Sequence, residues 1–304
     1  MSSSPPSFLI VGTGAMACLF AARFSRAGMA VAMLGSWRAG LEAIRKAGVV
    51  LVEADGRESA YPVTITDDPS TCAEVRFALV LVKSWQTERA ARQLSECLAS
   101  DGVALTLQNG LGNYEQLSGV LGAERVALGV TTLGANLIAP GRVCLAGEGL
   151  ITLGSHPLMG VLAAIFRSGG FLVEISPDPN SLLWGKLVIN AAINPITALL
   201  GITNGELLQR APARALLAAA AREAAAVAAA KGVRLPYTDP VATVENIARR
   251  TAKNRSSMLQ DVSRGAPTEI DAICGAIVEA GEQTGVPTPV NRTLWQLVKA
   301  LRQP

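Results

Sequence analysis

The tightest constraint on this chain sits at its beginning, in Phe8-Leu9-Ile10-Val11-Gly12-Thr13-Gly14-Ala15-Met16-Ala17. Four apolar residues in a row read as a buried strand, and the stretch from the glycines to Gly28 has the length of a helix. A strand that turns directly into a helix through G-x-G-x-x-A leaves few folds open. Gly12 permits the tight turn, Gly14 lets the backbone approach a pyrophosphate, and Ala17 leaves room for the helix to pack on the strand. Unpaired N–H groups at the head of the helix, around Thr13, Ala15 and Met16, then face the phosphates. An ordinary βα turn would use the same glycines for backbone freedom alone. The position on the first strand of an α/β pattern favours a dinucleotide site.

The end of the second strand, residues 31–34, bears on which dinucleotide. An NAD site carries a carboxylate there for the ribose 2′-hydroxyl. This chain has Leu34-Gly35-Ser36-Trp37-Arg38 and no acid. A hydroxyl and a guanidinium suit a 2′-phosphate, so the expected cofactor is NADP(H), with Ser36 or Arg38 as its contact. Arg38 serving only to solvate the following helix is the competing reading.

Further along, residues 48–66 carry two apolar stretches around Asp55-Gly56, a hairpin signal. Residues 77–82 and 103–107 are continuous apolar runs, as buried parallel strands should be, with a helix-like stretch over 85–98 between them. Residues 126–131 continue the alternation, and the glycine-rich stretch to 153 reads as antiparallel strands. This is the pattern of an open α/β sheet. After Pro177-Asp178-Pro179 the strands stop. Residues 182–200, 206–231, 240–264, 268–284 and 291–301 all read as helices separated by Gly and Pro. The expected fold class is therefore α/β, an amino-terminal Rossmann-type dinucleotide-binding domain over 7–176 followed by an all-α carboxy-terminal domain over 177–304. Clefts between such domains are favoured ligand sites, and the active site is expected there.

On the first of those helices Lys186, Asn190 and Asn194 recur at steps of four in an otherwise apolar segment. Each step turns the helix by about 400°, so the three share one narrow face. A charged amine in such surroundings is costly without partners or a task. A lysine reaching out to solvent above two structural asparagines would be the plainer arrangement, but three aligned polar groups point to a site. Reduction of a ketone needs a proton for the developing alkoxide. The single histidine, His156 beside Pro157, reads as a turn residue. A lysine ammonium whose pKa is adjusted by burial can serve.

Composition removes other classes. A net charge of +3 and 4% aromatic residues leave no basic, aromatic-studded stripe for nucleic acid. The five cysteines are scattered and never spaced as C-x-x-C, which suits reduced thiols in the cytoplasm and not a metal site. Residues 1–7 form a Ser/Pro tail without the basic start of a signal peptide. The apolar 182–200 stretch is broken by Lys186, Asn190, Asn194 and Pro195, so an interior helix is expected rather than a membrane span.

Taken together these segments resemble the ketopantoate reductase (2-dehydropantoate 2-reductase) family over almost the whole chain. The resemblance rests on the glycine loop, Val82-Lys83-Ser84-Trp85-Gln86 and Gln108-Asn109-Gly110-Leu111-Gly112. It rests further on Trp184-Gly185-Lys186-Leu187 with Asn190 and Asn194-Pro195-Ile196-Thr197-Ala198, and on Asn204-Gly205-Glu206-Leu207. Ser256-Ser257-Met258-Leu259-Gln260-Asp261 and Thr268-Glu269-Ile270-Asp271 complete it. It implies NADPH-dependent reduction of ketopantoate to pantoate, with Lys186 as catalytic lysine and Glu269 as the acid that positions it. Asn190, Asn194, Asn204 and Ser257 then match substrate-binding positions, Ser257 on the carboxylate side. Lys83 and Asn109 match residues at the nicotinamide end of the cofactor cleft, Asn109 on the substrate side as well, and both follow predicted strands, where open sheets bind ligands; a surface lysine and a plain Asn-Gly turn are the competing readings. Two departures stand out. The usual basic residue just after the second strand is displaced, leaving Ser36 there and Arg38 later, and the third glycine is Ala17. A reductase of another 2-keto acid and a non-catalytic NADP(H) sensor remain the alternatives. Monomer and homodimer are both open.

Overall fold

The computed structural model describes residues 8–301; the Ser/Pro tail 1–7 and residues 302–304 lie outside the described residues. The chain forms two compact units. The first runs to Gln108 and from Asn113 to Pro179, and the second comprises Asn109–Gly112 and the chain from Asn180 onward.

In the first unit β1 (Phe8–Val11), α1 (Ala15–Arg26), β2 (Val31–Leu34) and α2 (Arg38–Ala47) alternate as their apolar runs predict. Three short strands follow, β3 (Val49–Val52), β4 (Glu58–Tyr61) and β5 (Thr64–Thr66). Then come β6 (Val75–Val80), α3 (Thr87–Cys97), β7 (Leu98–Thr106), α4 (Asn113–Leu121) and β8 (Val126–Thr131). The unit closes with β9 (Gly134–Ala139), β10 (Arg142–Gly147), β11 (Leu150–Leu153), α5 (Met159–Ser168) and β12 (Leu172–Ile175).

The large sheet has the order β12-β11-β8-β7-β6-β1-β2-β5. From β5 to β8 every neighbouring pair is parallel. Numbered along the chain those strands run 3-2-1-4-5-6, the order of doubly wound dinucleotide-binding sheets, and the order reverses between β1 and β6. Alternation of side chains builds a core on each face. Phe8, Ile10, Val31 and Met33 enter one with α1 and α5, while Leu9, Val11, Ala32 and Leu34 enter the other with α3. Phe8, Phe20, Phe24, Phe166 and Phe171 meet in the first core at ring distances of 4.5 to 6.2 Å.

The hairpin at Asp55-Gly56 forms as β3 and β4, antiparallel. Its destination is a finding of the structure. It joins β9 and β10 in a separate sheet, β4-β3-β10-β9, with β3 and β10 parallel. That sheet packs on α1, so residues 17–24 of the helix are all buried. Arg23, caught among them, is satisfied by Glu148 at 3.0 Å and by the Phe171 ring, 5.0 Å away. The sequence reading assigned no helix or strand to 154–176, where α5 (Met159–Ser168) and β12 (Leu172–Ile175) lie.

The second unit contains α6 (Pro179–Leu200), α7 (Glu206–Gln209), α8 (Ala211–Ala230), α9 (Pro240–Arg250), α10 (Ser257–Ser263), α11 (Ala276–Thr284) and α12 (Pro289–Ala300). No strand follows β12 among the described residues. Two predicted helices are divided, and a third is continuous but irregular at its start. The 206–231 segment breaks at Arg210, which is extended because Pro212 fits only the first turn of a new helix. The 240–264 segment stops at Thr251 and restarts after Ser256, whose hydroxyl caps the Leu259 N–H at 3.1 Å. The 268–284 segment opens on a π turn, Asp271–Gly275. By contrast, α6 runs unbroken through Pro195. Among the described residues it is the one helix long and apolar enough to cross a membrane, but 67% of its most apolar window is buried, inside the core of this unit.

The units divide at 179/180 where the sequence suggested 176/177, and residues 109–112, expected in the first domain, join the second. The reason is local fit. Leu111 donates its N–H to the Ala272 carbonyl at 2.9 Å. Gly110 has φ +83 and lies so close that a Cβ there would be 2.5 Å from the same oxygen.

Candidate active site

At the turn after β1, Gly12 has φ +133, and a Cβ on it would lie 3.1 Å from the Leu81 backbone. Its own N–H is spent on the Leu34 carbonyl at 2.7 Å. Gly14 is the opposite case: it is exposed, and a Cβ there would meet nothing within 4 Å. The helix that starts at Ala15 has no side-chain cap and no acid in its first turn. Its leading N–H groups and the positive end of its dipole therefore face the open side of the loop. That arrangement fits a pyrophosphate, which needs both the donors and the missing Cβ. Buried Ala17 keeps the helix close to the sheet.

The turn after β2 leans on this loop, since a Cβ on Gly35 would sit 2.5 Å from the Thr13 methyl. Ser36 and Arg38 are exposed just beyond it. The Arg38 guanidinium bonds Glu42 at 2.8 Å, one helical turn away and in full contact with water. Such surface pairs are worth less than about 1 kcal/mol, so a phosphate dianion can compete for the guanidinium.

Past β6, Lys83 is partly buried. A buried polar network, which the sequence reading missed, joins the ends of β6 and β7. Gln108 donates to the Val82 carbonyl and to the Thr87 hydroxyl, both at 2.9 Å, and accepts from Thr106 at 3.0 Å. Thr87 in turn donates to Asn113 Oδ1 at 2.8 Å. The only signal was the Gln beside Asn109.

In the second unit Lys186, Asn190 and Asn194 share one face of α6, since the helix is continuous across all three. Lys186 is partly buried, and removal from water pushes its pKa down from 10.5 to about 8, against the opposing pull of the Glu269 carboxylate. Glu269 is itself buried and accepts from Asn109 Nδ2 at 3.4 Å. Lys186, Glu269 and Asn109, spread across 160 residues of sequence, therefore belong to one constellation. Asn194 is buried and Asn190 partly so.

Ser257 is exposed at the start of α10, while its neighbour Ser256 is buried with its hydroxyl 2.7 Å from that of Thr197 on α6. Asn204 is buried and donates to Thr251 at 2.9 Å, but its Oδ1 finds no donor among the described residues. His156 is occupied in its turn: Nδ1 accepts from the Leu158 N–H at 3.1 Å, and Nε2 lies 2.9 Å from the Glu124 carbonyl. Tyr237, which nothing in the sequence singled out, donates to the Gly185 carbonyl at 2.8 Å, one residue before Lys186.

A doubly wound sheet with this loop, and a helical unit carrying a partly buried lysine with a carboxylate, fit an oxidoreductase. Residues 8–157 match the family model for ketopantoate reductase PanE/ApbA, and residues 179–302 match that for the ketopantoate reductase PanE/ApbA C terminal. The chain belongs to the ketopantoate reductase family. It is 36% identical over 298 residues to a 2-dehydropantoate 2-reductase of Halobacterium salinarum, spanning 96% of this chain and 97% of that one. Against a 2-dehydropantoate 2-reductase of Archaeoglobus fulgidus the identity is 38% over 298 residues, 96% of each chain. Among solved structures, a PanE/ApbA family ketopantoate reductase from Ralstonia eutropha superposes with a TM-score of 0.90 at 32% identity, covering 97% of this chain and 98% of that one. D-mandelate dehydrogenase, solved with NADH and anilino(oxo)acetate, superposes at 0.89 with 25% identity over 97% and 98%.

Proposed function

We propose that this protein reduces ketopantoate to pantoate with NADPH, in the cytoplasmic route to pantothenate and coenzyme A. The observation that carries the reading is Lys186: an amine on a buried helix face, aligned with two carboxamides and acting on the same charge balance as Glu269. Bound NADPH supplies the hydride, held through Gly12 to Ala17, with Ser36 or Arg38 toward the 2′-phosphate and Lys83 and Asn109 toward the nicotinamide end. The Lys186 ammonium donates a hydrogen bond to the keto oxygen and gives up a proton as that oxygen gains charge. A pKa near 8 suits this task, because the amine is protonated at neutral pH yet parts with its proton more readily than a solvated lysine. Glu269 holds the ammonium in line. Asn190, Asn194 and Ser257 bind the substrate, carboxamides doing so without competing for the cation. Asn204, buried and bonded to Thr251, is read as a further substrate-side asparagine on the family resemblance alone. All five cysteines are unpaired, in keeping with a reducing compartment.

The test is a panel of 2-keto acids assayed with NADPH and with NADH. Ketopantoate with NADPH should give the highest kcat/KM. The likeness to D-mandelate dehydrogenase makes an aryl 2-keto acid the competitor to include. A higher kcat/KM for that acid would reassign the substrate, and no turnover of any acid would leave only cofactor binding.

A further inference from the structure

Trp37 stands directly past β2 with 42% of its surface exposed. Exposure of a single apolar side chain would mean little on its own. What gives it meaning is what the ring lies against, and where. A Cβ on Gly40 would come within 2.5 Å of Trp37 Cε3 and 3.1 Å of Cζ3, so the indole lies against the first turn of α2 and presents its remainder to solvent. The residues leading to it are fastened to the glycine loop, through the Gly12 N–H on the Leu34 carbonyl at 2.7 Å and through Gly35 against Thr13. In a doubly wound sheet the adenosine half of a dinucleotide lies over the end of this strand.

We infer that Trp37 is the platform on which the adenine ring of the dinucleotide stacks, an assignment that rests on the first unit's binding NADP(H). Adenine offers a flat, uncharged π-face, and an indole is well suited to meet it. Arg38, the other flat group in the turn, is directed to Glu42 and is better used on a phosphate. Ser36 and Arg38 flank the indole in sequence, so one short turn would take the base in its middle and the 2′-phosphate at its sides. Base–aromatic stacking of the usual strength corresponds to roughly 5- to 150-fold in affinity.

Titration calorimetry with adenosine 2′,5′-bisphosphate and with NADPH tests the assignment, with melting temperatures checking that each variant is folded. Trp37→Ala should weaken both ligands by the same factor within that range. Trp37→Phe, which keeps a ring, should stay within about threefold of wild type. Reduction driven by reduced nicotinamide mononucleotide, which lacks adenine, should proceed at the same rate in wild type and Trp37→Ala. Adenosine bisphosphate should also quench wild-type tryptophan emission, and the quench should disappear in Trp37→Phe. If wild type binds the bisphosphate and folded Trp37→Ala binds it equally well, the platform is elsewhere and the stacking assignment falls. If wild type binds no adenosine nucleotide, the dinucleotide reading itself falls.

Discussion

Burial of Lys186 sets a sharp expectation for the pH dependence of the reduction. Its pKa falls from 10.5 to about 8 chiefly through desolvation. A drop of that size corresponds to about 3 kcal/mol favouring the neutral amine. If the ammonium is the proton donor, about 90% of the enzyme is competent at pH 7 and about 10% at pH 9, so the rate should fall about tenfold. A solvated lysine would lose less than about a tenth of its protons over the same interval. Glu269 opposes the shift, so Glu269→Gln should move the break in the profile to lower pH. The measurement is stopped-flow loss of NADPH absorbance at saturating ketopantoate across that range. A wild-type rate that stays level to pH 9 would refute the reasoning. Folding stability moves in the opposite direction. Between about pH 8 and 10.5 the unfolded lysine keeps its proton and the native one releases it, so stability rises with pH there, while below pH 8 the full cost of burying the charge remains.

Lys186→Ala should slow hydride transfer by roughly 10²–10⁴ while leaving the NADPH dissociation constant unchanged, because the glycine loop belongs to the other unit. Hydride transfer at the wild-type rate would remove Lys186 as the acid. Asn190→Ala and Asn194→Ala should raise KM for the keto acid by about tenfold or more, with little change in cofactor affinity by calorimetry. Equal losses for both ligands would count against a substrate role. Gly14→Val should leave the melting temperature nearly unchanged, since open space receives the side chain, yet weaken NADPH by tenfold or more. Unaltered binding would move the pyrophosphate off the loop. NADPH should bind at least about tenfold more tightly than NADH, and Ser36→Asp should narrow or reverse the preference. Equal affinities in wild type would overturn the cofactor choice.

Much of this protein is legible without its structure where the signal is local. The run from Phe8 to Ala17 contains strand, turn and helix within ten positions, and steric rules for glycine make it readable on its own. The Lys186, Asn190 and Asn194 stripe needs only the pitch of one helix. The same holds for the change from alternating elements to helices near Pro177. Mistakes along the chain have local causes too. The 206–231 segment reads as one helix, yet Pro212 fits only the first turn of a helix, so a new one starts at Ala211.

Other features depend on pairings that no local period encodes. The Asp55-Gly56 hairpin was visible, but its partner strand β10 lies some ninety residues away, and only packing on α1 decides that the two form a second sheet. Asn109 sits at the end of a strand of the first unit, yet the fit of Gly110 against Ala272 carries it into the second, where it meets Glu269. The sequence by itself determined that a lysine would stand on an apolar helix in line with two asparagines. Whether that lysine is an ordinary cation or an acid with a pKa near 8 was decided by the tertiary structure, because the energy of a charge depends on how much water the surrounding chain removes and which carboxylate it leaves nearby.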